Sequence, residues 1–176
     1  MKGIIFTELL GFIEAKAGMV FAEQVLEKAN LPNDAAFTTV GLYPSHYATS
    51  LVSAASELSG IPADKLCREY GEFLFDRFTK LYANLLAAYS TADALLTHVN
   101  THIHEEVKLL YPDAVPPCVT ARKEGDVLVI EYQSHRPFAH IAYGLVSGAL
   151  SHYGDTRCLE WVDDNQSDHA TFRIVS

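Results

Sequence analysis

The chain has 176 residues, which fits one domain or at most two small ones. Its hydrophobic fraction of 49% and mean hydropathy of +0.07 allow a sizeable buried core and exclude a disordered chain. A formal net charge of −9 argues against nucleic acid as a partner, because that affinity comes mostly from Lys and Arg set against phosphates.

The first two thirds read as helix. Residues 3–16 carry Ile4, Ile5, Leu9, Phe12 and Ile13 at helical spacing, and Gly18 stops them. A second helix over 19–29 ends at Asn30, before Pro32. Residues 33–43 read as a loop. A third helix starts at Pro44 or Ser45 and ends at Gly60; a fourth runs from Pro62 to about Phe78. A shorter, very apolar helix follows over 80–90, and Ser90-Thr91 is a capping signal for the next, 92–110. No run reaches the ~18 uninterrupted apolar residues of a membrane span. Glu8 interrupts the apolar N-terminus, and no cleavage site follows it. Cys67, Cys118 and Cys158 are odd in number and far apart, which suits a reducing compartment. A cytoplasmic protein without membrane insertion is expected.

The character changes at Tyr111. YPDAVPP, with three prolines in seven residues, cannot be helix. CVTARK and VLVIEYQS read as strands joined at Glu124-Gly125-Asp126 in a hairpin. Pro137 opens another helix, FAHIAYGLVSGALSHYG. RCLEWVDD and HATFRIVS read as two further strands joined by the polar loop DNQSD. Helices first, then an antiparallel sheet carrying a helix, define an α+β class. The expectation is a single domain over 1–176, with a helical half of about 1–110 and a mixed half of about 111–176.

Two constellations could carry chemistry. On the 92–110 helix, His98 and His102 lie four apart on one face, as zinc ligands can. No Glu follows the first as in HExxH and no third ligand is near, so a solvated face is the better reading. His104 borders an apolar stripe of Leu96, Val99, Ile103, Val107 and Leu110. Spacing alone favours a structural histidine there over a ligand. The second constellation is YQSHR. Residues two apart in a strand share a face, so Tyr132, Ser134 and Arg136 extend the apolar face of Leu128 and Ile130. A phenol, a hydroxyl and a guanidinium fork together point to an anion, most simply a carboxylate or phosphate.

Taken in register, MKGIIF, IHEEVKLLYPDAVPP and YQSHR resemble the heme nitric oxide/oxygen binding domain, the H-NOX or HNOB family, of the stand-alone bacterial type. The resemblance covers the chain end to end. It implies heme b (protoporphyrin IX iron), buried between the helical half and the mixed half. Tyr132, Ser134 and Arg136 would hold the two heme propionates, and His104, not His102, would be the axial ligand. Pro117 matches the proline that presses on and distorts the ring; from the sequence alone a plain loop proline is equally open. Ile5, Leu9, Leu74, Phe78, Ile141 and Leu145 match the gas-binding side. Relatives that hold oxygen carry a tyrosine five residues past the motif Arg, where this chain has Ile141. None of the six can donate a hydrogen bond, which favours nitric oxide over oxygen. His140 and Tyr143 are the nearby donors, both rotated away from Ile141 on a helix. Some relatives hold structural zinc near the C-terminus through several cysteines; Cys158 and His152 make no such cluster, so none is expected.

The implied function is a heme-based gas sensor, not an enzyme. It would bind NO, with CO as a further ligand, and signal in trans to a histidine kinase or a cyclic-di-GMP enzyme, since no effector segment follows residue 176. The alternative is an oxygen-binding heme protein with no signalling role. A zinc enzyme using the helix histidines has only HxxxH behind it.

Overall fold

The computed structural model describes residues 1–163 and 167–176, so most of the expected DNQSD loop lies outside the described residues. Two compact units are present, Met1–Tyr70 and Gly71–Ser176.

The first unit is built from α1 (Gly3–Ala17), α2 (Met19–Ala29), α3 (His46–Ser59) and the first part of α4 (Ala63–Leu81). Helix α1 buries Phe6, Leu9, Phe12 and Ile13, the stripe that a 3.6-residue period dictates. It stops at Gly18, whose amide donates to the Glu14 carbonyl at 2.7 Å. Helix α2 stops at Asn30, which takes the left-handed conformation that closes many helices. The loop expected over 33–43 is present and closes on the N-terminus. The Met1 amino group donates to the Tyr43 carbonyl at 2.6 Å, and Lys2 pairs with Leu42 in an isolated bridge. Phe37 stacks on Phe6 with 4.5 Å between ring centroids. The fully buried Tyr70 donates its hydroxyl to the Ile5 carbonyl at 2.6 Å.

In the second unit α4 continues to Leu81, three residues past the expected end. The apolar helix expected over 80–90 shrinks to one turn, α5 (Ala83–Leu86), because Tyr82 leaves helical geometry. The expected 92–110 helix is broken. It consists of α6 (Ala92–Thr97), a π-helical turn over Val99–Ile103 and α7 (His104–Leu110). Thr91 caps α6, its hydroxyl accepting from the Ala94 amide at 3.1 Å. A π turn spends one residue more than an α turn, which rotates everything downstream by about 100°. Ile103 still packs against the core with Val99, His104 beside it is half-buried, and Leu110, expected on the buried stripe, is 58% exposed.

The strands are β1 (Cys118–Glu124), β2 (Val127–Gln133), β3 (Cys158–Asp163) and β4 (His169–Val175). They form an antiparallel sheet in the order β1-β2-β4-β3. Helix α8 (Ala139–His152) packs on it, burying Val146, Ala149 and Leu150 with Leu128, Ile130, Phe172 and Ile174. Each of those large sheet residues contributes roughly 1.5–3 kcal/mol by leaving water. Helices with one antiparallel sheet make the α+β class.

Helix α8 lies close against α4 at glycines. A Cβ added to Gly71 would fall 2.3 Å from the Ile141 carbonyl oxygen and 2.8 Å from the Gly144 Cα. One added to Gly148 would fall 2.7 Å from the Phe75 Cβ.

A charge cluster ties α6 to the sheet and to the α8–β3 loop. Asp93, in the first turn of α6, pairs with Arg157 and with Lys123 at 2.9 Å; Arg157 also pairs with Asp155 at 2.6 Å. Burial opposes the charge on Asp93, but Arg157 and Lys123 outweigh it and hold the carboxyl below its usual value. Arg157 does the same for Asp155. A depressed carboxyl stabilises the fold above its unfolded pKa of about 4 and loses that contribution as pH falls through the folded value. The melting temperature should therefore drop below about pH 4, with a shallower drop in Asp93→Asn. Parallel curves from thermal scans at several pH values would remove Asp93 as the cause.

Candidate functional site

His104 opens α7, at the junction where the π turn passes back into α-helix. Its backbone amide donates to the Val99 carbonyl in the i→i+5 pattern of the π turn. The residue is half-buried, and its Nδ1 is buried without a hydrogen-bond partner. Burial, helped by the charge on Lys108, pushes its pKa down to about 4, against the Pro117 carbonyl and Glu105. The imidazole is thus neutral at physiological pH, the form with a lone pair for a metal.

Tyr132 is the sixth residue of β2, paired with Ala170 of β4 and Val119 of β1. The alternation of the strand turns it to the buried face with Leu128 and Ile130, and it is 5% exposed. Burial raises its phenol pKa, while contact with Ser134 and the charge of Arg136 pull it back, so all three groups converge. The Arg136 amide donates to the Ser134 Oγ at 3.2 Å. Its guanidinium Nη1 donates to the Val115 carbonyl at 2.8 Å, tying the strand end to the proline loop. That guanidinium is half-buried, and burial lowers its pKa. Among the described residues no carboxylate forms an ion pair with it. The surface strand end capped by Asp or Glu is not what the geometry shows.

Pro117 is half-buried immediately before β1, and its carbonyl faces His104. In the second unit, Leu74 and Ile141 are buried and Phe78 and Leu145 half-buried; Leu74 and Phe78 stand on α4, the other two on α8. In the first unit, Leu9 is buried and Ile5 half-buried on α1. The two donors that flank Ile141 are turned away from it. Tyr143 donates its hydroxyl to the Leu159 carbonyl at 2.9 Å, and the His140 ring lies 4.6 Å from that of Trp161.

The remaining histidines and cysteines do not gather. Among the described residues no three His, Cys, Asp or Glu side chains could share a metal. His98 is exposed, with Nδ1 on the Ala94 carbonyl at 2.7 Å, and His102 bonds Tyr89. Burial, with Asp64 adding, pushes the Cys67 thiol up to about 11; Cys118 and Cys158 are exposed.

Three contacts here carry no signal in the sequence: Arg136 with the Val115 carbonyl, Tyr89 with His102, and Gly71 against α8. Each joins residues with no fixed spacing.

The model of the haem-NO-binding family matches residues 2–159. The chain belongs to this family. It is a family of heme-based gas sensors, also called H-NOX. An unliganded Fe(II) H-NOX protein from K. algicida is 28% identical with a TM-score of 0.89, covering 99% of this chain and 96% of that one. An H-NOX from Shewanella woodyi, bound to IWP-051 in the Fe(II)CO state, is 29% identical with a TM-score of 0.83, covering 100% and 95%. An H-NOX protein from S. oneidensis in the Fe(II)NO state, 24% identical with a TM-score of 0.88 over 99% and 98%, shares the fold. No curated protein matches the chain in sequence.

Heme fits the groups present. The orphaned Nδ1 marks a half-buried neutral imidazole suited to iron, and Arg136, in no ion pair among the described residues, makes with Tyr132 and Ser134 a donor set for carboxylates.

Proposed function

We propose that this H-NOX chain is a nitric oxide sensor that binds heme b and signals in trans to a partner enzyme. When bound, ferrous heme would supply an iron able to take a diatomic gas, and His104 would hold that iron. The chain does the rest. His104 offers a neutral imidazole without having to lose a proton. Tyr132, Ser134 and Arg136 donate to the propionates and fix the ring's orientation. Pro117 contributes a side that cannot yield by changing φ. Ile5, Leu9, Leu74, Phe78, Ile141 and Leu145 keep the gas side apolar.

The observation that carries NO over oxygen is the engagement of Tyr143 and His140 with β3. Stable oxygen binding benefits from a hydrogen-bond donor; tight NO binding to ferrous heme does not need one. With the α8 donors committed elsewhere, Ile141 faces the gas side without one. CO, another neutral diatomic, should bind as well. The partner class, a histidine kinase or a cyclic-di-GMP enzyme, is supported by the family resemblance.

The test is the absorption spectrum of the reduced, heme-loaded protein, first without oxygen, then with NO, then in air. Saturation by NO and no lasting oxygen-bound spectrum are expected. Ile141→Tyr should gain a lasting oxygen-bound spectrum. A stable oxygen complex in the unmodified protein would overturn the reading and favour an oxygen carrier.

A further inference from the structure

The junction that carries His104 is held from outside its own helix. The Tyr89 hydroxyl, in the loop before α6, shares a hydrogen bond with His102 Nδ1, and their rings lie 5.8 Å apart. Tyr89 is itself fixed by its amide, which donates to the Leu86 carbonyl at 3.0 Å. His102 is the fourth residue of the five-residue π turn. The turn is closed by two i→i+5 bonds, from the Ile103 amide to the His98 carbonyl at 3.2 Å and from the His104 amide to the Val99 carbonyl. The His102 amide also reaches the His98 carbonyl, at 2.9 Å in the ordinary i→i+4 pattern. So α and π bonding compete at that carbonyl. A π turn is a rare, less favoured winding and needs a reason to persist. Rewinding to α would rotate His104 by about 100° away from its inward phase.

We propose that Tyr89 is a positioning residue for His104: its bond to His102 holds the π turn open and so aims the axial imidazole. This rests on His104 being the iron ligand. Tyr89 touches neither iron nor gas. It acts by fixing the side chain two residues before the ligand, in a segment whose backbone has two ways to bond. Release of His104 from iron would then work against this latch, and the latch sets how readily the ligand is given up.

The test compares Tyr89→Phe, His102→Leu and His102→Gln with the unmodified protein in two forms. In heme-loaded, reduced protein, resonance Raman reads the iron–His104 stretching band. In heme-free protein, hydrogen exchange reads the amides of Ile103 and His104. Tyr89→Phe and His102→Leu should shift the band alike and speed exchange at both amides by about tenfold. Their combination should do no more than either alone. His102→Gln keeps a partner for the phenol and should restore the band, which a merely structural loss would not allow. An unmoved band together with unchanged exchange in Tyr89→Phe would overturn the proposal. If Tyr89→Phe fails to fold, the contrast between Leu and Gln at His102 decides it. If the unmodified protein takes up no heme, the ligand reading fails instead, while the exchange arm still reports on the latch.

Discussion

His104→Gly is expected to lose at least about 100-fold in heme affinity, since even residues that only support a metal ligand contribute 10–100-fold. The half-buried imidazole it removes is neutral and unpartnered at Nδ1, so besides its contact with the Pro117 carbonyl the heme-free fold has little to lose with it. Glycine inside a helix costs about 1 kcal/mol, and at the first residue of α7 the cost is smaller. The variant should therefore stay folded while uptake fails, and free imidazole should restore uptake by filling the vacated space. Titration with heme, with and without imidazole, measures this. With His104 as the iron ligand, the loaded variant would have no link between iron and α7. If release of His104 is the signal, it should regulate the partner as the NO-bound unmodified protein does, without NO. A loaded variant that leaves the partner in its unliganded state would remove ligand release as the switch.

Arg136→Leu should weaken heme binding by about 2 kcal/mol, or roughly thirtyfold. Two contacts disappear with the guanidinium. One is the fork presented to carboxylates beside Tyr132 and Ser134; the other is the bond that secures the Val115 carbonyl. Arg136→Lys keeps the charge and loses the fork, so it should fall between the two. Heme whose propionates are capped as methyl esters separates the contacts. It should bind the unmodified protein poorly and be indifferent to Arg136→Leu. Equal heme affinity in Arg136→Leu and the unmodified protein would return YQSHR to an ordinary strand end.

Much of this was legible in one dimension. Helices α1, α2 and α3 follow from apolar spacing and from stops at Gly18, Asn30 and Gly60, which are local signals. The β1–β2 hairpin follows from a glycine turn between two strand-like runs, and its register pairs Glu124 with Val127. The alternation that turns Tyr132 inward is likewise local. The break at residues 98–103 was not legible. Its apolar residues keep a 3.6-residue spacing that reads as one continuous helix, and nothing in the spelling of a segment announces an i→i+5 bond. What holds it open comes from Tyr89, which lies 13 residues from His102 and across a turn. The reach of Arg136 to Val115 was hidden for the same reason: a backbone carbonyl looks identical at every position.

The contact between Gly71 and the turn of α8 at Ile141 and Gly144 bears on how gas preference can drift among sequences. Ile141 lines the gas side on the proposed reading, and its carbonyl approaches α4 this closely because Gly71 has no side chain. One methyl group at residue 71 has no room, so α8 must move and carry Ile141 with it. On that reading residue 71 offers no donor but sets how far α8 stands from α4. With Ile141 on the gas side as proposed, two chains sharing every lining residue would differ in gas affinity when they differ at residue 71, and comparing lining residues alone would miss it.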